Sequence, residues 1–382
     1  MTDTQWIWQH ADWPHFSWHA DALAPVLRAC VQAQGRLLGM AGAVEGVADA
    51  QEHLNSLLQN ILTSSAIEGE QLNAGSVRSS LARRLGVPDS GTPNPRSEGL
   101  ASLLMDATGN YDQPLTLERL FIWHRWLFPA EERSIGASLR VGELRGNEPM
   151  QVVSGRLDRP TVHFEAPPRN VLQGELAAFL DWFNHSLTHT ALDPLLRAGI
   201  AHFWFVTLHP FDDGNGRLTR ALTDLALAQA DDQGVRLFAL SASILEDRSS
   251  YYQVLESSQR SSLDITAWLT WFLKTLLRGQ NAALARIDRV VAKARFWQTH
   301  RADELSTEQT KVLNRMLDGG ERGFEGGISA AQYQAVAKVS KATATRHLAD
   351  LLSKGCILLL PGGGRSTRYK INTRAHPPHP PE

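Results

Sequence analysis

Between Asp193 and Leu208 the chain offers almost no polar face. Leu195, Leu196, Ile200, Phe203, Trp204, Phe205, Val206 and Leu208 surround a helix on every side, and a helix that is apolar nearly all round has to be buried. This segment therefore predicts the central helix of a mainly α-helical domain. Asp193 as N-cap and Pro194 in the first helical position mark its start. His202, on the same helix, reads as a core histidine with its hydrogen bonds met. A second helix is expected from Arg217, with Leu218, Ala221, Leu222, Leu225 and Ala226 at helical spacing and Gly234 as its end. The connection between the two is HPFDDGNG, His209 to Gly216.

The rest of the chain is organised around that pair. At 382 residues it exceeds the usual size of one domain, and three segments are expected: 1–105, 106–285 and 300–375. In the first, Leu54, Leu57, Leu58, Ile61 and Leu62 form an apolar stripe that Gly69 can end, and a further helix fits Ser76 to Leu85. Four of the 11 tryptophans, Trp6, Trp8, Trp13 and Trp18, precede these helices and are expected to anchor the N-terminal segment on the helical core. Asp89 to Ser97 reads as a turn-rich connection, followed by helical patterning from Leu117 to Phe128. Val152-Val153 and Thr161-Val162, split by a turn, predict a small hairpin. Near Asn281 an Arg- and Ala-rich helix leads towards Leu305.

Composition excludes several classes of function. The 38 Lys and Arg against 40 Asp and Glu leave a net charge of -2, so no global field draws the molecule to nucleic acid or an anionic membrane. Cys30 and Cys356 stand near opposite ends, which fits neither a disulfide framework nor a cysteine-rich zinc module. No apolar run is long enough for a membrane span, and MTDTQWIWQHADW lacks the pattern of an export signal. A cytoplasmic protein without a membrane partner is expected.

The connecting loop carries the chemistry. Gly214 and Gly216 permit backbone angles closed to other residues, and with Asn215 they let successive N–H groups curl round an anion at a helix N-terminus. Arg217 and Arg220 on the first turn can add charge-assisted hydrogen bonds to a polyphosphate. Asp213 offers a hard oxygen to Mg²⁺, Phe211 is expected to turn inward, and His209 has the intrinsic pKa of a general base. A GxxxxGK[ST] phosphate loop is excluded, because no lysine in the chain follows a glycine.

As a unit, HPFDDGNGRLTR from His209 to Arg220 matches HxFx[DE]GNGRxxR throughout, and on these residues the chain resembles the Fic family. The resemblance implies a Fic-type helical core with a β-hairpin flap and transfer of AMP from ATP, with Mg²⁺, to a Ser, Thr or Tyr hydroxyl of a protein. By it His209 would be the base, Asp213 the metal ligand, and Gly214, Asn215, Gly216, Arg217 and Arg220 the phosphate binders. Val152, Val153, Ser154 and Gly155 resemble the family's flap, which aligns a target by adding it as a strand. Tyr251, Tyr252 and Gln259 resemble the segment on the adenine side, although core packing accounts for the tyrosines equally well. Ser64 to Gly69 fits the [ST]xxxE[GN] motif of an inhibitory helix: Ser64, Glu68 and Gly69 stand at its fixed positions, and Glu68 would pair with Arg220 at the nucleotide site. The tryptophan-rich start resembles a small domain often fused ahead of such cores.

Beyond it, Ala330–Ala337 and Lys341–Lys354, the strand-like Ile357 to Leu360 and GGGRSTRYKI resemble a winged helix-turn-helix. From Gly326 onward basic residues exceed acidic ones by six, which suits phosphate contacts. Lys341, Thr343, Thr345, Arg346, Arg365 and Arg368 are the candidates for touching DNA, with dimerisation or target docking as the other use of such a module. The expected function is a self-inhibited protein adenylyltransferase acting on an unknown protein, itself included. A DNA-binding regulator with a nucleotide-sensing core and an AMP-removing enzyme are the alternatives, and a homodimer is expected by analogy.

Overall fold

The computed structural model describes residues 5–41, 47–130, 139–156, 159–189, 191–234, 237–319, 324, 326–361 and 367–373. Two compact units divide the chain, Met1–Ala283 and Leu284–Glu382. The expected segments 1–105 and 106–285 thus lie essentially within the first unit.

In the first unit the order is α1 (Ala20–Ala41), α2 (Val47–Ile67), α3 (Ala74–Leu85), α4 (Pro95–Gly109), α5 (Leu117–Leu127), β1 (Gln151–Arg156), β2 (Arg159–Glu165), α6 (Arg169–His185), α7 (Pro194–Leu208), α8 (Asn215–Asp231), α9 (Leu240–Glu246) and α10 (Arg248–Gln259). The long α11 (Thr266–Thr299) crosses the division. Helix α7 starts as read: Asp193 Oδ1 accepts from Leu195 N at 2.8 Å and Pro194 follows the cap. Every residue from Leu195 to Leu208 is buried, and α7 packs on α8 and α6. His202 is fully enclosed, its ring nitrogens 2.8 Å from Thr223 Oγ1 and 3.0 Å from Tyr251 Oη.

Several boundaries differ from the sequence reading: α3 begins at Ala74 rather than Ser76, and the helix expected near Asn281 is α11, which begins at Thr266. Helix α8 begins at Asn215 rather than Arg217, with Gly214 as its N-cap. Its left-handed C-cap is Asp232, φ 50°, not Gly234; a short polar side chain tolerates that conformation by bonding locally. The segment read as a turn to Ser97 already enters α4 at Pro95, because Asn94 Oδ1 caps Ser97 N at 2.7 Å and proline suits the first helical position.

Of the four N-terminal tryptophans, Trp6, Trp8 and Trp13 anchor their segment. Trp13 donates to Glu175 Oε2 at 2.7 Å and meets Trp204 edge-on, while Ser17 exchanges main-chain hydrogen bonds with Leu263 and Ile265. Trp6 is 9% exposed and packs edge-on against Phe164 of β2, in a small cluster with Trp8, Met150, Val152 and Val162.

The second unit continues with α12 (Thr307–Asp318), α13 (Ala330–Ala337), α14 (Lys341–Ser353) and an antiparallel pair, β3 (Ile357–Leu359) with β4 (Tyr369–Ile371). Its core gathers Val312, Leu313, Tyr333, Leu348, Leu351 and Ile357. His300 Nδ1, 2.6 Å from Asp303 Oδ2 and 3.5 Å from Cys356 Sγ, ties the end of α11 to the head of β3. Among the described residues no helix is long and apolar enough to cross a membrane.

Candidate active site

Helix α7 stops where His209 turns into the left-handed region, φ 49° and ψ 57°. That conformation costs a residue with a Cβ roughly 1 kcal/mol or more, so the surrounding structure has to impose it. Asn215 does much of this. Its Oδ1 accepts from Phe211 N at 3.0 Å and its Nδ2 donates to Phe211 O at 2.8 Å, closing the loop on itself. Phe211 points inward as expected, fully buried and stacked on His124 at 4.3 Å. His124 Nδ1 accepts from Gly142 N at 2.9 Å, so its Nε2 carries the proton and donates to Asp213 O at 3.1 Å. Burial pushes the His124 pKa down to about 4, which keeps that tautomer neutral. Arg145 Nε donates to His209 O at 2.8 Å.

Past this pinned turn the chain opens into helix amides. Gly214 takes φ +81° and precedes α8, whose first N–H groups have no intrahelical acceptor. The expectation that Gly216 also needs a special backbone angle is corrected here. Gly216 is ordinary helix, and what it supplies is clearance: a Cβ there would collide with the Glu68 carboxylate and lie 3.2 Å from Arg220 Nη1. An anion is thus already seated beside this helix end, and it belongs to the protein.

His209 Nδ1 lies 3.0 Å from Val206 O. A carbonyl only accepts, so Nδ1 holds the hydrogen and Nε2 keeps a free lone pair. Burial holds the ring's pKa below the ordinary histidine value, with the Val206 bond opposing it. The ring borders a cavity of about 760 Å³ that Glu68, Asp213, Gly214, Asn215, Gly216, Tyr251, Tyr252, Gln259 and the hairpin residues Val152, Val153 and Ser154 also line. Asp213 Oδ1 accepts from Gly214 N at 2.6 Å, and its side chain is 60% exposed. Its Oδ2 lies 3.6 Å from Arg217 Nη2, and a solvent-facing carboxylate of this kind is a hard oxygen donor such as Mg²⁺ takes.

The two arginines are each held by a carboxylate from one short segment. Where α2 ends, Gly69 turns left-handed at φ +82°, which brings Glu68 and Glu70 to the start of α8. Arg220, 2% exposed, donates from Nη2 to Glu68 Oε1 at 2.8 Å, from Nε to Ser64 Oγ at 2.8 Å and from Nη2 to Ser64 O at 2.9 Å. Its Nη1 is buried and has no hydrogen-bond partner among the described residues. Arg217 Nη1 donates to Glu70 Oε2 at 2.7 Å, and Arg96 bonds both Glu70 oxygens at 2.8 Å. Burial alone would raise the Glu70 carboxyl, but Arg96 and Arg217 hold it below the usual carboxylate range. Sequence reading missed Glu70, Arg96 and His124. A second acidic residue two positions after Glu68 is the available signal for the first.

Across the cavity stands the expected hairpin. Strands β1 and β2 pair antiparallel, with a bulge between Val152 and Val153; Gly155, at φ +92°, stands opposite Pro160. Val152 packs into the Trp6 and Phe164 cluster, whereas Val153 is 51% exposed. Trp8 Nε1 donates to Glu165 O at 2.7 Å and Arg260 lies over the Trp6 ring, so the N-terminal segment braces β2. Tyr251 and Gln259 border the cavity and also serve the core: Tyr251 through His202, Gln259 by donating to Thr207 Oγ1 at 3.1 Å. Desolvation raises the phenol pKa of both tyrosines, keeping them neutral.

The DNA-contact candidates form a separate set in the second unit. Lys341, Thr345 and Arg346 are exposed on α14, whose buried residues are Ala344, Leu348 and Leu351, and Arg346 lies opposite that buried face. Thr343 belongs to the helix cap, bonded to Ser340 at 2.9 Å, and Arg368 Nη1 donates to Gly327 O at 2.9 Å. Arg365 lies outside the described residues.

A buried helix pair, the open amides at the start of the second helix, an imidazole with a free Nε2 and a facing hairpin thus surround one cavity. Residues 114–227 match the Fic/DOC family, and the chain carries a Fic/DOC family domain there. Residues 6–87 match a domain of unknown function, DUF4172. Among curated relatives, protein adenylyltransferase fic-1 of Caenorhabditis briggsae is 38% identical over 96 residues, 25% of this chain and 17% of that protein. Protein adenylyltransferase Fic of Drosophila mojavensis is 28% identical over 210 residues, 54% of this chain and 37% of that protein. The chain therefore spans well under half the length of these relatives. In fold it is similar to a Fic family protein from Desulfovibrio desulfuricans G20, with TM-score 0.51, 20% identity and 93% and 97% of the two chains covered. It is also similar to Fic-1 (residues 134–508) from C. elegans, with TM-score 0.50, 20% identity and 72% and 76% covered.

Proposed function

We propose that this protein is a protein adenylyltransferase, moving AMP from ATP to a Ser, Thr or Tyr hydroxyl of a protein, and that Glu68 holds it in check. One observation carries the reading: the free Nε2 of His209 and the amides of Gly214 to Gly216 border one cavity. ATP is the nucleotide that the adenylyltransferase relatives imply.

His209 Nε2 takes the proton of the incoming hydroxyl, and the ring needs no preparatory proton loss because burial already keeps it neutral. The α8 amides at Gly214 to Gly216 receive phosphate oxygens in positions fixed before the nucleotide arrives, whereas Arg220, which does not border the cavity and is engaged by Glu68, joins them once that carboxylate has moved. Asp213 would hold Mg²⁺, which supplies charge neutralisation on the phosphates when bound. An exposed β1 edge gives a target main chain something to pair with, independently of its side chains. The brake is electrostatic: the Glu68 carboxylate occupies the seat beside Gly216 and engages Arg220, so a phosphate has to displace it.

The test compares wild type with Glu68→Gly in a lysate supplied with ATP, reading mononucleotide adducts on hydroxyl side chains by mass spectrometry. The variant is expected to modify proteins roughly ten- to a hundredfold faster, the range of a typical regulatory coupling. Equal labelling by the two would remove Glu68 as a brake, and release of AMP from a pre-modified protein by the wild type would favour the removal reaction instead.

We assign the exposed Lys341, Thr345 and Arg346 of α14 to contact with an anionic partner, DNA being the first to try. Titrating the protein with duplex DNA at two salt concentrations tests this, since phosphate contacts weaken steeply with salt.

A further inference from the structure

In the second unit three side chains able to ligate a metal meet at one point. His300 directly follows α11, Asp303 lies in the turn after it, and Cys356 stands at the head of β3. His300 Nδ1 is 2.6 Å from Asp303 Oδ2 and 3.5 Å from Cys356 Sγ, and Sγ is 4.0 Å from the same carboxylate oxygen. Among the described residues this is the one such group of His, Cys, Asp or Glu whose ligand atoms all lie within 4.8 Å of one another.

Hydrogen bonding alone leaves the cluster unfinished. In a proton relay the two ring nitrogens serve two different partners. Here a carboxylate oxygen and a sulfur both approach Nδ1, which has only one hydrogen or one lone pair in the ring plane. Nε2 is buried and has no hydrogen-bond partner among the described residues, so nothing there opposes placing the ring's hydrogen on it and freeing Nδ1 to coordinate. A cation between the three atoms would use all of them. Zn²⁺ accepts sulfur, nitrogen and oxygen together, and its bond lengths in a tetrahedron set sulfur about 3.6 Å from either partner and nitrogen about 3.4 Å from oxygen. Both separations from Sγ are already close to that. The His300–Asp303 pair has to open, and Asp303 sits in a turn with its side chain 31% exposed. That exposed side also gives an entry path and room for water as the fourth ligand. A thiolate and a carboxylate together cancel the dication's charge, which burial demands where His300 is 6% exposed and Cys356 0%.

We propose that His300, Asp303 and Cys356 form a binding site for one Zn²⁺ ion. Cys356 binds as the thiolate, its proton leaving to solvent, Asp303 as the carboxylate and His300 through Nδ1. The ion fastens the end of α11 to the head of β3, joining residues 56 positions apart. A set with a single cysteine differs from the cysteine-rich module that the composition excludes. None of the three residues lines the cavity around His209, so the site stands whether or not the chain transfers AMP.

The test uses the full chain, stripped with a chelator and titrated with Zn²⁺ or, in a second sample, with Co²⁺ under a thiol-free reductant. The expected result is a thiolate-to-cobalt charge-transfer band that saturates at one equivalent, and a melting temperature that rises with Zn²⁺. Cys356→Ser removes the band. Cys30→Ser keeps it, since the only other cysteine has its Sγ 3.3 Å from Leu273 O and lies outside the cluster. Asp303→Asn alters a partly exposed turn and leaves the core alone, and it should weaken Zn²⁺ binding on the order of a hundredfold. Should Cys356→Ser fail to fold, the wild-type band and the affinity of Asp303→Asn decide. A stripped wild type that takes up neither ion, cobalt bound without the band, a band lost with Cys30→Ser, or unchanged affinity in Asp303→Asn each overturns the inference.

Discussion

The two walls of the cavity are built on opposite plans. On the α7–α8 side, side chains fix one another inside the protein: Asn215 closes the loop on Phe211, His124 supports Asp213 O, Arg145 holds His209 O, and two carboxylates grip two arginines. The hairpin side is two strands with an open edge and an exposed Val153, braced from behind by Trp6 and Trp8. The difference teaches where specificity of residue matters. Chemistry needs fixed atoms and therefore fixed residues, whereas pairing with an incoming strand uses the main chain and leaves side chains free to vary.

Substitutions should reproduce that contrast, starting where the effect is largest. His209→Ala removes the base and is expected to lower AMP transfer on the order of a thousandfold in the Glu68→Gly background, read with labelled ATP. Retained transfer would remove His209 as the base.

Acid should weaken the buried wall next. His124 and His202 have folded pKa values of about 4 and about 3 against an unfolded value near 6.5. Because both are depressed, the stability they confer is fully present above pH 6.5 and is lost as pH falls towards the folded values. Between pH 7 and pH 5 the pair should cost roughly 3 kcal/mol of unfolding free energy, measurable by urea denaturation. A flat profile across that window would contradict their being buried and neutral.

Glu70→Gln comes third. The amide keeps one hydrogen bond but leaves Arg96 and Arg217 adjacent without their shared counter-ion, so Arg217 drifts from the cradle. The KM for ATP should rise about fivefold, near 1 kcal/mol; a fall would mean that Glu70 competes with phosphate, as Glu68 does. The smallest effect belongs to the other wall. Val153→Thr alters an exposed side chain while leaving the strand's main chain alone, and transfer should change by less than about twofold.

The same contrast explains what could be read from the sequence. His209 to Arg220 was legible because all its parts sit in twelve consecutive residues between two clearly periodic helices. Glu68 was legible only through its own short motif, and its contact with Arg220 spans 152 positions. Glu70, Arg96 and His124 left no comparable trace, since each acts through a partner far away in the chain and looks locally like an ordinary helix-end or helix residue. Gly216 was singled out for the wrong physical reason: its backbone is unremarkable, and the close approach of Glu68 cannot be seen from local pattern. Asp232 took the cap expected of Gly234 because local propensity ranks glycine first without knowing where the helix runs out. The tryptophans announced an anchored segment, but that Trp6 and Trp8 brace the hairpin depends on a strand pairing known only from the fold.

The central claim concerns where a triphosphate sits relative to one ring nitrogen. The most direct measurement is a crystal structure of Glu68→Gly with Mg²⁺ and a non-hydrolysable ATP analogue. The account predicts phosphate oxygens within hydrogen-bonding distance of the Gly214 to Gly216 amides and Arg220 Nη1, with His209 Nε2 facing the α-phosphorus across room for a hydroxyl. A nucleotide bound elsewhere, or seated in this cavity with its α-phosphorus turned away from His209, would contradict it.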